Sequence, residues 1–188
     1  IINGMGVTQQ PFGVEGVLAI ANLALLTGNI GKPGSGINPL RGCNNVQGSC
    51  DMGCLPDFYP GYAPLAENTV KKFERFWNAE LPVEKGFTET EMIEAIGEKI
   101  LGMYIIGENP MMSHPNLNET ENNLKDLEFL VVQDMFLTET TRMADVVLPA
   151  ASFAEKTGTV TNTERRVQLI NQALKPEGCK TDFEIVNL

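Results

Sequence analysis

Three short apolar runs constrain the fold of this chain more than any other feature. They are MYIIG at 103–107, EFLVVQD at 128–134 and DVVLP at 145–149, and none of them alternates polar with apolar residues. Strands that are buried on both faces lose this alternation. The two segments between the runs, NLNETENNLKDL at 116–127 and LTETTRMA at 137–144, are interpreted as helices. The pattern predicts a βαβαβ unit with a parallel sheet and right-handed crossovers, and therefore the α/β fold class.

The segments that follow the three predicted strands are rich in polar groups. They are GENPMMSH, QDMFLT and PAASFAEKTG, and in a parallel sheet ligands bind beyond the carboxyl ends of the strands. Lys156 and the segment Thr159–Asn162 suit an anion or a nucleobase, although Thr and Asn also cap ordinary turns. His114, the only histidine, is interpreted as polar surface rather than as a catalytic group.

Three further helices are predicted from apolar periodicity. The first, GVEGVLAIANLALLT at 13–27, places Val14, Val17, Leu18, Ala21 and Leu25 on one face and has Gly28 as a C-cap. The others are 66–77 and 88–101, and the latter has Met92, Ile93, Ile96 and Ile100 at helical spacing. The region from Gly28 to Gly61 has a glycine every few residues, and irregular regions of that length are usually functional.

Three of the four cysteines lie in this glycine-rich region. Cys43, Cys50 and Cys54 are spaced x6 and x3, whereas structural zinc sites use paired C-x2-C or C-x4-C units, and Cys179 is far away. A metal cluster and a disulfide are both disfavoured, and thiols that are free or line a site are the better interpretation. We assign no metal ligand.

Arg41 differs in kind, because it precedes Gly42 in a loop whose backbone can approach a ligand closely. A guanidinium group matches a carboxylate or phosphate and stays charged at all working pH values. The alternative is a solvated loop arginine. Met5 and Gln9 precede a helix N-terminus, where an anion is favoured, although an ordinary turn explains them as well.

Composition excludes some classes of function. The formal charge is −10, which argues against a surface for nucleic acid. The apolar runs are too short to span a bilayer, so we expect no membrane span. A cytoplasmic location is expected, although an export signal would lie outside this segment. The beginning IINGMGVTQQ resembles a strand that ends in a turn, and we expect the chain to be an interior part of a longer protein.

Several linked motifs carry a resemblance to a known family. GMGVTQQPFGVEGVLAIANLALLTGNIGKPGSGINPLRGCNNVQGSCDMGCLPDFYPGY, YIIGENPMMSHPN and LVVQDMFLTETTRMADVVLPAASFAEKTGTVTNTERRVQ closely resemble molybdopterin oxidoreductases, and among them the catalytic alpha subunits of formate dehydrogenases. The resemblance covers nearly the whole chain and is weakest between about Ala63 and Leu101.

The resemblance implies a fold, cofactors and partners. The fold would be a parallel-sheet αβα (Rossmann-like) domain fragment. The cofactors would be two molybdopterin guanine dinucleotides that chelate Mo or W, with a 4Fe-4S cluster elsewhere in the full-length protein. The activity would be oxidation of formate to carbon dioxide, with electrons passed to iron-sulfur or flavin/NAD subunits.

The resemblance also implies roles for individual residues. Arg41 would hold the formate carboxylate. The cofactor-binding positions would be Met5 and Gln9 at one pterin, Gly42 and Cys43 beside Arg41, Asn109, Ser113, Gln133, Asp134 and Thr138 at a guanosine diphosphate arm, and Lys156 near the same arm. Many relatives have a glutamine at the position of Cys43, so the resemblance implies that a thiol would line the site here instead.

The chain departs from the family in lacking a cluster-binding cysteine motif and a metal-coordinating Cys-His or selenocysteine-His pair. We therefore expect a fragment that is inactive alone. We expect the tail of one cofactor-binding domain at 1–40, a second αβα domain at 41–150 and a connecting segment at 151–188. The alternatives are a nitrate reductase type of sibling enzyme, a non-catalytic electron-transfer subunit of the same fold, and a plain cysteine-metal module.

Overall fold

The computed structural model describes residues 1–188, which form two compact units. The helices are α1 (Met5–Thr8), α2 (Gly13–Leu26), α3 (Val46–Asp51), α4 (Glu67–Trp77), α5 (Glu89–Glu94), α6 (Pro110–Ser113), α7 (Leu117–Lys125) and α8 (Asp182–Val186). The strands are β1 (Ile2–Asn3), β2 (Asn38–Pro39), β3 (Phe58–Tyr59), β4 (Ala63–Pro64), β5 (Gly102–Ile106), β6 (Phe129–Asp134), β7 (Val146–Pro149), β8 (Gly158–Thr161) and β9 (Val167–Ile170).

The larger unit comprises residues 55–57, 65–158 and 170–188, and it contains the three predicted strands. These strands form one parallel sheet in the order β5-β6-β7, with Val132 of the central strand opposite Ile105 on one side and Val147 on the other. The predicted α/β class and the parallel sheet are therefore confirmed. Asp145 fixes the start of β7, because its carboxylate accepts a hydrogen bond from the Leu130 amide at 2.7 Å.

The core of this unit lies on one face of the sheet. The prediction that the strands are buried on both faces is therefore wrong for this segment, since Tyr104, Ile106 and Phe129 on the other face are 45%, 47% and 52% exposed. The buried members of the core are Ile93, Ile96, Ile105, Leu124, Leu130 and Val132. Burial of such aliphatic side chains contributes about 1.5–3 kcal/mol each, so the core supplies the main stabilising term of the unit.

The helix predicted at 88–101 is shorter in the structure. Helix α5 begins with a capping box between Thr88 and Glu91 and ends at Glu94. Gly97 then takes a positive φ of 83°, and its amide donates to the carbonyl of Ile100 at 3.0 Å. A residue in this conformation cannot continue a right-handed helix. The segment at 137–144 is likewise reduced to a 3-10 turn at Thr141–Met143.

The smaller unit comprises residues 1–54, 58–64 and 159–169. In it β1 pairs in parallel with β2, and α1 leads into α2 through a tight turn. Gly13 is required in that turn, because a Cβ at this position would lie 2.3 Å from the carbonyl oxygen of Thr8.

Helix α2 forms where it is predicted, but its predicted apolar face is not buried within the unit. Val14 and Leu25 are 73% and 62% exposed, whereas Ala24, outside the predicted set, is fully buried. The helix is apolar on nearly every side, so apolar periodicity could not identify the face that packs. Gly28 follows the helix with a φ of 64°, which confirms the expected C-cap glycine.

The two units do not test the domain boundaries at 40 and 150, because compact units of one segment need not coincide with domains of a longer chain. Those boundaries stay predictions. No helix has both the length and the apolar character that crossing a bilayer requires.

The central strand offers a test of the packing. Leu130 is 1% exposed and Phe129, its neighbour on the other face, is 52% exposed. We expect Leu130→Ala to lower the free energy of unfolding by about 2–5 kcal/mol, because it opens a cavity in the core. We expect Phe129→Ala to cost less than half as much. Urea denaturation of both variants checks this, and equal losses would contradict the described core.

Candidate functional site

The smaller unit contains a cavity of about 730 Å³. Its walls come from β1, α1, β2, α3 and the loop between β8 and β9. The lining residues are Asn3, Gly4, Met5, Thr8, Ile37, Asn38, Pro39, Leu40, Arg41, Gln47, Asp51, Tyr62, Thr163 and Arg165. The cavity therefore includes two of the predicted site residues, Met5 and Arg41.

Backbone pairing places Arg41 at this cavity. Strand β2 lies beside β1, and the Leu40 amide donates to the carbonyl of Asn3 at 2.7 Å, so residue 41 follows directly after the pairing ends. A Cβ on Gly42 would lie 3.0 Å from Sδ of Met5, so these two residues are in close contact. The structure thus brings Met5, Arg41 and Gly42 together. Gln9 follows α1 and does not line the cavity.

The cavity wall is positively charged. Arg41 and Arg165 both line it, against a single acidic residue, Asp51. Neither arginine forms a salt bridge, whereas the chain as a whole carries −10. Two unneutralised guanidinium groups in one concave site favour an anionic ligand.

Tyr62 is a lining residue that the sequence did not indicate. It has a positive φ of 55°, and its ring packs edge-on against Phe58 with centroids 5.9 Å apart. The pKa of its hydroxyl is raised, and loss of solvent around the group is the largest cause. The hydrogen bond to Cys50 and the electrostatic effects of Cys50 and Asp51 raise the pKa further, whereas the positive charge of Arg41 lowers it. Tyr62 is therefore a neutral hydroxyl at physiological pH.

A second cavity of about 440 Å³ shares Arg41 and lies along the loop after it. Gly42 and Cys43, both predicted site residues, line it together with Thr161 and Asn162. The Asn45 side chain joins the loop after Arg41 to strand β8. Its amide donates to the Thr159 carbonyl at 3.4 Å, and its oxygen accepts from the Thr161 amide at 2.9 Å. The predicted polar segment Thr159–Asn162 is thereby brought beside the arginine loop.

The cysteines form no disulfide in the structure. Cys43 and Cys54 are exposed, Cys50 is buried and Cys179 is partly buried. Residues 1–188 contain no group of three or more His, Cys, Asp or Glu side chains that could hold a metal ion.

The larger unit has its own polar cluster at the carboxyl end of the sheet. Asn109, after β5, accepts hydrogen bonds from the amide and the hydroxyl of Thr140 at 3.3 and 2.6 Å, and its amide donates to Glu139 at 2.9 Å. These bonds tie together the loops that follow β5 and β6. The bond to Asn109 is also the first cause of the lowered pKa of Glu139.

Gln133, at the end of β6, is fully buried and lies at the centre of a second set of bonds. It accepts a hydrogen bond from the Tyr104 hydroxyl and donates to Asp182 at 2.7 Å. Asp182 also forms a salt bridge with Lys156. The structure therefore brings the predicted residues Gln133 and Lys156 together through Asp182, a residue that the sequence analysis missed.

The remaining predicted residues at this edge shape its loops. The Ser113 hydroxyl donates to Glu108 at 2.7 Å, Asp134 accepts from the Phe136 amide at 2.9 Å, and Thr138 accepts from the Thr141 amide at 3.2 Å. His114 shares a hydrogen bond of 2.7 Å with the buried Thr120, which fits a structural role.

Comparison with known proteins adds to this geometry. A family model described as molybdopterin oxidoreductase matches residues 1–187. The F420-dependent formate dehydrogenase subunit alpha of Methanocaldococcus jannaschii is 58% identical over 95% of this chain and 26% of its own length. The F420-dependent formate dehydrogenase 1 subunit alpha of Methanococcus maripaludis is 50% identical over 100% of this chain and 28% of its own length. Formate dehydrogenase H of Escherichia coli is 43% identical over 100% of this chain and 27% of its own length.

The chain thus spans about a quarter of the length of these relatives. Among solved structures, acetylene hydratase from Pelobacter acetylenicus matches with a TM-score of 0.47 and 22% identity, over 52% of this chain and 14% of that protein. That likeness is too low to support an argument about function.

The Lys156–Asp182 pair predicts a pH-dependent contribution to stability. Burial raises the pKa of Asp182, but the bonds from Lys156 and Gln133 outweigh it, and the pKa lies below its usual value. Such a group stabilises the fold above its unfolded pKa of about 3.9, and this contribution is lost as pH falls through the lower folded pKa.

We therefore expect Lys156→Met to lower the free energy of unfolding at pH 6 and the difference from wild type to shrink below about pH 4. The loss should be at most about 1 kcal/mol, since both partners keep about a third of their side-chain surface in solvent. Urea titrations across this pH range measure it. Lys125→Met, which removes an exposed pair with Glu121, is the control, and a larger loss in the control would contradict the expectation.

Proposed function

Because this chain belongs to the molybdopterin oxidoreductase family, we propose that it is a segment of the alpha subunit of a formate dehydrogenase, which oxidises formate to carbon dioxide. The proposal rests on sequence identities of 43–58% to a formate dehydrogenase and to formate dehydrogenase alpha subunits, and on one observation in the structure. That observation is the guanidinium group of Arg41, which lines a cavity beside Met5 and forms no salt bridge.

Arg41 suits formate by charge and by shape. Formate is a small anion with two equivalent oxygens, and a guanidinium group donates two parallel hydrogen bonds to such a carboxylate. Holding the anion in one orientation removes rotational freedom before the reaction. Arg41 therefore acts as the group that binds and orients the substrate.

The residues around the two cavities fit a molybdopterin guanine dinucleotide. The side-chain oxygen of Asn3, which lines the larger cavity, is buried without a hydrogen-bond partner, and the amino and ring N–H groups of a pterin are donors. The unneutralised charge of Arg41 suits the anionic dithiolene groups. Met5, Gly42 and Cys43 are the proposed contacts on this side, and Gln9, which lines neither cavity, stays a prediction from the resemblance.

The sheet edge is the proposed site for a guanosine diphosphate arm. Asn109, Ser113, Asp134 and Thr138 supply amide, hydroxyl and carboxylate groups there. Gln133 and Lys156 belong to the proposed site as well, but Gln133 is buried and bonded to Tyr104 and Asp182, and Lys156 is paired with Asp182, so these two support the edge instead of presenting free groups. Hydrogen bonds among the loops hold this edge in place, which lowers the cost of ordering it around a ligand. A Rossmann-like αβα arrangement is the corresponding fold proposal.

When bound, the molybdenum or tungsten centre supplies an acceptor for the two electrons that formate loses. We propose a 4Fe-4S cluster in the full-length protein outside this segment. Iron-sulfur or flavin/NAD subunits are the proposed onward electron acceptors, and the relatives are themselves named as alpha subunits. The cytoplasmic location stays a prediction.

Replacement of Arg41 tests the proposed activity. In the full-length holoenzyme we expect Arg41→Ala to lower kcat/KM for formate by about 100-fold or more, because the oriented charge that binds the carboxylate is lost. Formate-dependent dye reduction measures this, after metal analysis shows that both proteins are loaded. Arg75→Ala is the matched control, since Arg75 lies on α4 and does not line the cavity. Unchanged kinetics in Arg41→Ala would refute the assigned role.

The same preparation separates the alternatives. Absence of molybdenum and tungsten from the full-length protein would favour a non-catalytic subunit of the same fold. Reduction of nitrate without oxidation of formate would favour the nitrate reductase type of sibling. Stoichiometric zinc or iron in the isolated segment would favour a cysteine-metal module.

We also expect the isolated 188-residue segment to reduce no dye with formate. It spans about a quarter of its relatives, and within it no cluster of ligating side chains could hold a metal ion. The assay is the same dye reduction with the full-length holoenzyme as positive control. Turnover by the segment would contradict this expectation.

A further inference from the structure

Arg165 is the second arginine of the larger cavity, and neither sequence reasoning nor the family resemblance assigned it a role. It lies in the turn between β8 and β9, more than a hundred residues after Arg41 in the chain. Both arginines nevertheless line the same cavity, and neither forms a salt bridge.

The turn that holds Arg165 is tightly defined. Arg165 has a φ of 62°, in the left-handed region that residues with side chains rarely adopt. Its amide donates to the carbonyl of Asn162 at 2.9 Å, and the Asn162 side chain accepts from the amides of Glu164 and Arg166 at 3.0 and 2.9 Å. A side-chain-bearing residue kept in such a conformation is a feature that clusters at functional sites.

The hairpin is also fixed to the arginine loop. Asn45 bonds the backbone of β8 at Thr159 and Thr161, and Gly48 leaves room for the Asn45 side chain, since a Cβ on Gly48 would lie 2.1 Å from the Asn45 oxygen. Any residue larger than glycine at position 48 would displace this bridge. The position of Arg165 relative to Arg41 is therefore set by hydrogen bonds and not by a free loop.

Two cations that share one cavity repel each other, and Asp51 is the only acidic residue in its lining. A monoanion placed between them relieves this repulsion and receives donors from both guanidinium groups. Resting on the function proposed above, we propose that Arg165 is a specificity-determining residue that binds the formate carboxylate together with Arg41.

The two arginines are expected to affect different kinetic parameters. Arg41 is in the loop whose next residue contacts Met5, one of the proposed pterin contacts, so it orients formate for reaction. Arg165 attracts the formate anion equally in the ground state and in the transition state. Loss of such uniform binding raises KM and leaves kcat largely unchanged.

The test uses the full-length holoenzyme with Arg165→Gln, Arg165→Lys and Arg166→Gln. Arg166 is the matched control, because it is the adjacent arginine and does not line the cavity. We expect Arg165→Gln to raise KM for formate about tenfold, with kcat within about twofold of wild type, since one charge-assisted contact is lost. Arg165→Lys should restore part of the affinity, and Arg166→Gln should match wild type.

A second measurement needs no turnover. Nitrate is a planar monoanion with no C–H bond to oxidise, and the oxidised enzyme has no electrons with which to reduce it. Calorimetric titration of the oxidised holoenzyme with nitrate should show a Kd that rises in Arg165→Gln by about the same factor as KM. Metal and pterin contents should equal those of wild type.

Three results would overturn the inference. They are an unchanged KM and nitrate Kd in Arg165→Gln, an equal loss in Arg166→Gln, and a loss of bound cofactor in Arg165→Gln that accounts for its lower activity. Failure of the wild-type holoenzyme to oxidise formate would instead overturn the proposed function itself. The two failures are thus distinguishable.

Discussion

The hydrogen bonds of Asn45 are the contact on which the candidate substrate site depends. They join residues separated by 114 and 116 positions in the chain, so they close a very long loop. Each bond is modest by itself, but together they hold the backbone of β8 beside the loop that presents Arg41. Without that contact, the two arginines would belong to independent segments, and the positive cavity wall would not exist as a defined site.

Local charge, not overall charge, governs what this cavity can bind. The chain is strongly acidic, yet the wall has two arginines against one aspartate and no salt bridge to neutralise them. An acidic surface repels anions at a distance, so capture has to rely on short-range contacts that salt screens less. Charge complementarity then favours an anionic ligand, which is consistent with the proposed formate.

At the carboxyl end of the sheet, the polar groups are bonded to each other and are not left free. Gln133 is fully buried at the end of the central strand, and its two polar atoms are both satisfied, by Tyr104 and by Asp182. Asn109 is likewise committed to Thr140 and Glu139. A site whose groups already bond each other is rigid before any ligand arrives, and rigid sites lose less entropy on binding. The groups proposed for a nucleotide arm therefore also stabilise the fold.

The amino-acid sequence by itself determined the parallel sheet and part of the site. Unbroken apolar runs predicted the positions of β5, β6 and β7, although only the face that carries Ile105, Leu130 and Val132 is buried in this segment. The glycines around Arg41 marked a loop that approaches a ligand, and the structure brings Met5, Arg41 and Gly42 together. Periodicity failed where one residue overrode it, as at Gly97, whose positive φ ends α5 early.

Only the tertiary structure decided which distant residues complete each site. Arg165 and Asp182 lie far in sequence from the groups that they join. Nothing in the local sequence pattern distinguishes Arg165 from Arg166, or Asp182 from other acids at the start of a helix. Sequence patterns report backbone conformation and burial within a few residues. Contacts across more than a hundred residues arise from chain packing, and they are set by hydrogen bonds such as those of Asn45, which no local period encodes.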